Sequence, residues 1–140
     1  MKGFSRPDGC TGIEEGTGNM TVAGRLAEGL AEQGVQYVFG IPGGPSLPYI
    51  EEFRRCGIEF ILTSSETAAA VMADVTGRIT GIPGVCLATF GPGAVNLASG
   101  IGGALLDRSP VIALTSEVPD AMRKRTCQMN IDHQALFRPL

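Results

Sequence analysis

The sequence has 140 residues, which is enough for one domain but not for two. Hydrophobic residues make up 44% and charged residues 18%, a globular composition that excludes an intrinsically disordered protein. The formal net charge of −3 and the lack of a large basic cluster argue against nucleic acid as a partner. No apolar run is long enough to span a bilayer, so no membrane partner is expected.

Residues 1–19 are rich in glycine and lack periodicity, so they are predicted to form a flexible N-terminal tail ahead of a domain at 20–140. The four cysteines are widely spaced, and the single histidine, His133, has no second histidine with which to share a metal ion. A zinc site is therefore not expected. Reduced thiols in a cytoplasmic protein are the simplest interpretation.

Four short apolar runs are predicted to be strands, and they alternate with segments of helical periodicity. The strands are expected at 36–40, 59–63, 85–89 and 111–115. The helices are expected from Thr21 to Gly34, from about 47 to Gly57, from Ser64 or Ser65 to about Gly81, at 94–107, and near the end before Pro139. Nearly continuous apolar strands are typical of parallel strands that helices cover on both faces. The predicted fold is therefore α/β, with an open, doubly wound parallel sheet.

In such a sheet, ligands bind at the carboxyl ends of the strands. Three segments follow the first three strands there, at 40–44, 63–66 and 89–93, and two of them are rich in glycine. Glycine allows a backbone to approach a ligand closely. We therefore expect these segments to converge on one ligand site.

Glu66 is the one carboxylate in these segments, and two interpretations of it stay open. A glutamate in the first turn of a helix commonly serves only to favour the helix dipole. Alternatively, small apolar neighbours at 68–70 could form a pocket in which the carboxyl group exchanges a proton with a ligand.

The remaining motifs carry weaker signals. The Gly-Pro-Gly sequence at 91–93 does not fit a dinucleotide fingerprint, and Pro92 lacks the donor that a phosphate loop would use. The glycines at 100–103 suggest close helix packing and hint at a contact between subunits. Asp132 beside His133 could be an acid–base pair, although a lone histidine is more often structural.

Several of these motifs, taken in order, resemble the N-terminal pyrimidine-binding domain of thiamine-diphosphate enzymes, in the style of acetolactate synthases. The matching residues are 39–44, 66, 68–70, 73–74, 77–78, 80–81, 84–89, 91–97, 107–111, 116–119, 131–132 and 136–139. The resemblance covers residues 20–140, and it implies a thiamine-diphosphate-binding fold and a 2-oxo acid decarboxylase or carboligase.

The resemblance also implies roles for individual residues. Glu66 matches the glutamate that hydrogen-bonds N1′ of the cofactor's aminopyrimidine and so promotes removal of the thiazolium C2 proton. The other residues that it places at the cofactor are Pro42, Gly43, Pro92, Asn96 and Gln128. Acetolactate synthases usually have histidine and glutamine beside the glutamate, where this chain has Ser65 and Thr67.

The family holds the diphosphate and Mg²⁺ through a Gly-Asp-Gly motif of a separate domain, and these 140 residues contain no such motif. The chain is therefore expected to be incomplete at its C-terminus, to need a diphosphate-binding domain or subunit, and to be inactive alone. A homo-oligomer is expected, and FAD binding stays open. The alternatives are a non-catalytic, truncated or decayed domain that folds and associates without turnover, and an unrelated nucleotide-binding domain.

Overall fold

The computed structural model describes residues 21–119 and 129–140. The tail predicted at 1–19 lies outside these residues. The elements are α1 (Val22–Glu32), β1 (Tyr37–Gly40), a 3₁₀ turn (Gly44–Ser46), α2 (Leu47–Arg55), β2 (Glu59–Leu62), α3 (Glu66–Thr80), β3 (Gly84–Ala88), α4 (Pro92–Leu106), β4 (Val111–Thr115) and α5 (His133–Phe137).

The four strands form one parallel sheet in the order β2-β1-β3-β4. In the centre of the sheet, Phe39 of β1 lies opposite Ile61 of β2 and Cys86 of β3. The chain moves outward from β1 in one direction to β2 and in the other to β3 and β4. The predicted doubly wound α/β fold is confirmed.

Capping residues set the ends of the helices at the predicted places. The side chains of Thr21 and Ser65 accept hydrogen bonds from backbone N–H groups in the first turns of α1 and α3. Gly81 ends α3 with a φ of 71°, a conformation that glycine adopts without strain. These caps place Glu66 at the first position of α3.

Two hydrophobic clusters cover the two faces of the sheet, because neighbouring strand residues point to opposite sides. On the face of α1 and α2, Val38 and Val85 pack with Phe53, which is fully buried. On the other face, Phe39 and Cys86 pack against small residues of α3 and against Leu97 of α4. Alanines at 69, 70 and 73 allow α3 to lie close to the sheet.

The glycines at 100–103 behave differently from one another. A Cβ atom at Gly100 would lie 2.5 Å from the Cβ atom of Ala70, so the close packing at this glycine is between α4 and α3 of the same chain. Gly103 is exposed and has no atom within 4 Å of its ideal Cβ position. The close contact at Gly100 is therefore intramolecular and gives no evidence of an interface between subunits.

The cysteines show two environments. Burial raises the pKa of the Cys86 thiol to about 12, so this residue stays a neutral, small hydrophobic group. Cys56 is buried and disulfide-bonded, so the prediction of reduced thiols is wrong for this residue.

Among the described residues, no helix has the length and hydropathy that a bilayer crossing requires.

Candidate functional site

The segments that follow β1 and β3 contact each other at the carboxyl edge of the sheet. A Cβ atom at Gly43 would lie 2.5 Å from Oγ1 of Thr89, the residue that follows β3. Only a residue without a side chain fits this contact. The predicted convergence of these two segments is therefore present in the structure.

Glu66 lies next to this contact with an exposed fraction of 9%. Its Oε2 atom accepts a hydrogen bond of 3.1 Å from Nδ2 of Asn96, a residue of α4. Its Oε1 atom lies beside Gly93, where an ideal Cβ atom would come within 3.1 Å of that oxygen. The same Cβ atom would lie 3.2 Å from Cγ2 of Thr89. Glu66, Gly93 and Thr89 thus form one continuous surface with Gly43.

The two carboxylate oxygens of Glu66 have different surroundings. Asn96 is the only described hydrogen-bond partner of Oε2, and no salt bridge of Glu66 joins described residues. Among the described residues, no fully buried side-chain oxygen lacks a partner. No described residue donates a hydrogen bond to Oε1, so this oxygen is not fully buried and remains accessible to solvent. A buried carboxylate with one fixed and one available oxygen can accept a hydrogen bond from a ligand.

The start of α4 completes this surface. Gly91 has a φ of 72° and precedes Pro92, which begins the helix two residues earlier than the predicted position of 94. Proline is favoured at this first position because its missing N–H would have no partner within the helix. The Thr67 hydroxyl donates a 2.6 Å hydrogen bond to the Asn96 carbonyl and so ties α4 to α3 beside Glu66.

The structure brings some, but not all, of the predicted site residues to this surface. Glu66, Asn96 and Gly43 lie on or beside the continuous surface, whereas Pro42 and Pro92 are exposed at its rim. Gln128 lies outside the described residues. The positions at which the chain departs from acetolactate synthases are both used within the fold, since the Ser65 hydroxyl caps α3 and Thr67 binds α4.

Sequence reasoning did not assign three residues of this site. The sequence pattern places Thr89 and Gly93 only within the segment at 89–93, and it marks Thr67 only as a departure from a family pattern. The position of Thr89 directly after β3 is the signal that places its segment at the site, since ligands bind at the carboxyl ends of strands, but it does not indicate the contact with Gly43. The contacts of Gly93 and Thr67 depend on how α3 and α4 pack, which no local pattern indicates.

Asp132 and His133 do not form an acid–base pair. The Asp132 carboxylate accepts a 2.9 Å hydrogen bond from the N–H of Ala135 and so caps α5. The His133 ring is buried and contacts Gly91 and Thr115. Within the part of the chain that the structure describes, no three His, Cys, Asp or Glu side chains group as a metal site.

A separate cavity of about 580 Å³ lies on the face of the sheet that α1 and α2 cover. Its lining includes Leu26, Tyr49 and Leu114, and it does not include Glu66. This cavity and the candidate site are therefore different places.

The chain is similar to known proteins over most of its described length. The sequence model of the family described as "Thiamine pyrophosphate enzyme, N-terminal TPP binding domain" matches residues 20–136. A probable acetolactate synthase large subunit of Methanocaldococcus jannaschii is 42% identical over 121 residues, which are 86% of this chain and 20% of that protein. An acetolactate synthase of Bacillus subtilis is 44% identical over 111 residues, or 79% of this chain and 20% of that protein. The chain thus spans about a fifth of the length of these relatives.

Proposed function

Since the chain belongs to the family of thiamine pyrophosphate enzyme N-terminal TPP binding domains, we propose that it binds the pyrimidine end of thiamine diphosphate in an acetolactate synthase-like enzyme. The whole enzyme would be a 2-oxo acid decarboxylase or carboligase. The observation that carries the proposal is the buried Glu66 carboxylate, which has one oxygen fixed by Asn96 and the other available.

The residues at this edge of the sheet suit a flat, weakly basic heterocycle. Gly43 and Gly93 allow the backbone to lie close to Thr89 and to the Glu66 carboxylate, where a side chain would not fit. A carboxyl group can share a proton with a ring nitrogen, and burial strengthens that hydrogen bond by excluding water. When bound, thiamine diphosphate supplies a carbon nucleophile that attacks the carbonyl group of a 2-oxo acid.

Each residue of the site has a separate task in this proposal. Glu66 holds or releases a proton at Oε1, towards N1′ of the pyrimidine. Asn96 keeps Oε2 occupied, so that the carboxylate presents only Oε1 to the ligand. Gly43, with Pro42 and Pro92 at the rim, shapes the entrance. Gln128 is proposed to face the same site from the loop after β4.

A partner must supply the rest of the cofactor site. We propose that a diphosphate-binding domain or subunit holds the diphosphate and Mg²⁺, whose ligands are typically carboxylate, carbonyl and water oxygens. The chain alone, with thiamine diphosphate and Mg²⁺, is expected to turn over no pyruvate, and measurable turnover would refute this division of tasks. FAD binding has no support among the described residues. A cytoplasmic location stays a proposal from the sequence.

Self-association is the expected state of the isolated chain. Apolar residues of α3 stay exposed along one stripe, namely Val71, Met72, Val75 and Ile79, the last with an exposed fraction of 79%. On α4, Leu106 is 85% exposed. Apolar stripes of this kind commonly mark contacts with another protein surface. Sedimentation velocity at micromolar concentration should therefore show a dimer or larger species.

Paired variants can locate the contact. Replacing Val75 and Ile79 with glutamate should shift the chain towards monomer, because like charges would then face each other across the contact. Val22→Glu is the control, since Val22 is equally exposed, at 78%, but lies on α1 at the other face of the sheet. A wild-type chain that sediments as a clean monomer would contradict the prediction.

Titration of the isotopically labelled chain with thiamine tests the proposed binding directly. Because thiamine lacks the diphosphate, weak binding in the millimolar range is expected, with NMR shifts at the amides of Gly43, Gly93 and Asn96. Glu66→Gln should reduce these shifts, whereas Glu52→Gln, on α2 at the other face, should not. Shifts confined to the cavity lined by Leu26 and Tyr49, or no shifts at all, would refute the proposal.

A further inference from the structure

His133 is buried, and both of its ring nitrogens have partners. Its exposed fraction is 6%. Nε2 accepts a 3.2 Å hydrogen bond from the N–H of Gly91, and Nδ1 lies 3.1 Å from Oγ1 of Thr115. Because Nε2 acts as the acceptor, the network assigns a neutral ring whose proton is on Nδ1 and is donated to Thr115.

The hydrogen bond reaches a turn that no side chain of the helix N-cap supports. Gly91 adopts a φ of 72°, and no side chain caps the helix that follows it. A Cβ atom at Gly91 would lie 2.5 Å from the carbonyl oxygen of Met129. The segment that contains Met129 and His133 therefore lies directly against the Gly91 turn.

The turn and the first residues of the helix that follows it carry the residues that contact Glu66. Gly93 lies beside Oε1, and Asn96 donates to Oε2. The start of α4 is thus fixed at two places, by Thr67 on the side of α3 and by His133 on the side of α5. A movement at Gly91 would change the distances that define the surroundings of the Glu66 carboxylate.

We propose that His133 is a positioning residue of the Glu66 site, which holds the Gly91–Gly93 turn in place by accepting the Gly91 N–H. The proposal rests on the proposed function for the identity of the ligand. The effect of His133 on the turn does not depend on the proposed function, because it can be measured without any ligand.

Two variants separate the hydrogen bond from the volume of the ring. His133→Phe keeps a planar ring but removes the acceptor, whereas the side-chain oxygen of His133→Gln can accept near the position of Nε2. Hydrogen exchange at the Gly91 amide should become about tenfold faster in His133→Phe and should stay within about threefold of wild type in His133→Gln. Gln134→Ala is the matched control, since this neighbour of His133 on α5 is exposed.

The thiamine titration gives the second readout. His133→Phe should weaken thiamine binding about tenfold, and His133→Gln should largely restore it. If a folded His133→Phe variant binds thiamine as tightly as wild type and exchanges the Gly91 amide at the wild-type rate, the proposal is overturned. If the wild-type chain does not bind thiamine, the proposed function fails, while Gly91 exchange still decides whether His133 holds the turn.

The tautomer of wild-type His133 provides a test that does not require any variant to fold. Nitrogen NMR of the full chain should show an unprotonated Nε2 and a protonated Nδ1. A proton on Nε2 would place two donors against each other at Gly91 and would overturn the proposal.

Discussion

Gly100→Ala should lower the free energy of unfolding, although alanine is the better helix former. The added Cβ atom would lie 2.5 Å from the Cβ atom of Ala70 and 3.0 Å from the carbonyl oxygen of Thr67. Overpacking of this kind costs about 1–3 kcal/mol. Gly103→Ala, at an exposed position of the same helix, should instead stabilise by up to about 1 kcal/mol. Urea denaturation of both variants measures the difference.

A compensating change tests whether the steric contact is the cause. Ala70→Gly removes the Cβ atom that Gly100→Ala would meet. The double variant should therefore be at least about 1 kcal/mol more stable than the sum of the two single effects. Strictly additive effects would show that α3 and α4 do not approach each other closely at these residues.

The secondary structure could be predicted well because its signals are local. The apolar run at 111–115 became β4, and Ser65 and Gly81 bound α3 as capping residues do. α4 begins two residues before the predicted position of 94, because Gly-Pro-Gly is a pattern that is also common in loops. Proline at the first position of a helix is equally compatible with that pattern.

The sequence could indicate that Glu66 begins a helix at the carboxyl edge of the sheet, but not how its carboxylate is oriented. That orientation depends on Asn96, which is 30 residues away, and on the missing side chain of Gly93. The contact of His133 with Gly91 spans 42 residues. Contacts between distant residues follow from how the helices pack on the sheet, which periodicity does not encode. Gln128 stays a prediction.

Glu66→Gln should leave the fold intact and abolish most of the catalytic effect of the site. Glutamine has the same shape and can still accept the hydrogen bond from Asn96, but it cannot hold and release a proton. General acid–base catalysis typically contributes about 10²–10⁴-fold, so a loss of that size is expected. The protein to use is the chain joined to its diphosphate-binding domain or subunit, loaded with thiamine diphosphate and Mg²⁺.

Asp74→Asn is the matched control for this variant. Asp74 is a second buried acidic residue of α3, but it is paired with Arg78 and Ser109, away from the Glu66 site. Its replacement should lower stability and leave the chemical step unchanged. Equal effects of the two variants on the chemical step would indicate that general damage to α3, and not loss of the Glu66 carboxylate, slows the enzyme.

Exchange of the cofactor's C2 proton for deuterium, followed by NMR after an acid quench, tests the role of Glu66 most directly. The rate reports proton removal alone and does not depend on which 2-oxo acid is the substrate. We predict that Glu66→Gln slows this exchange by about 10²–10⁴-fold relative to wild type and to Asp74→Asn. An unchanged exchange rate in a folded, cofactor-loaded Glu66→Gln complex would contradict the assignment of Glu66 to the mechanism.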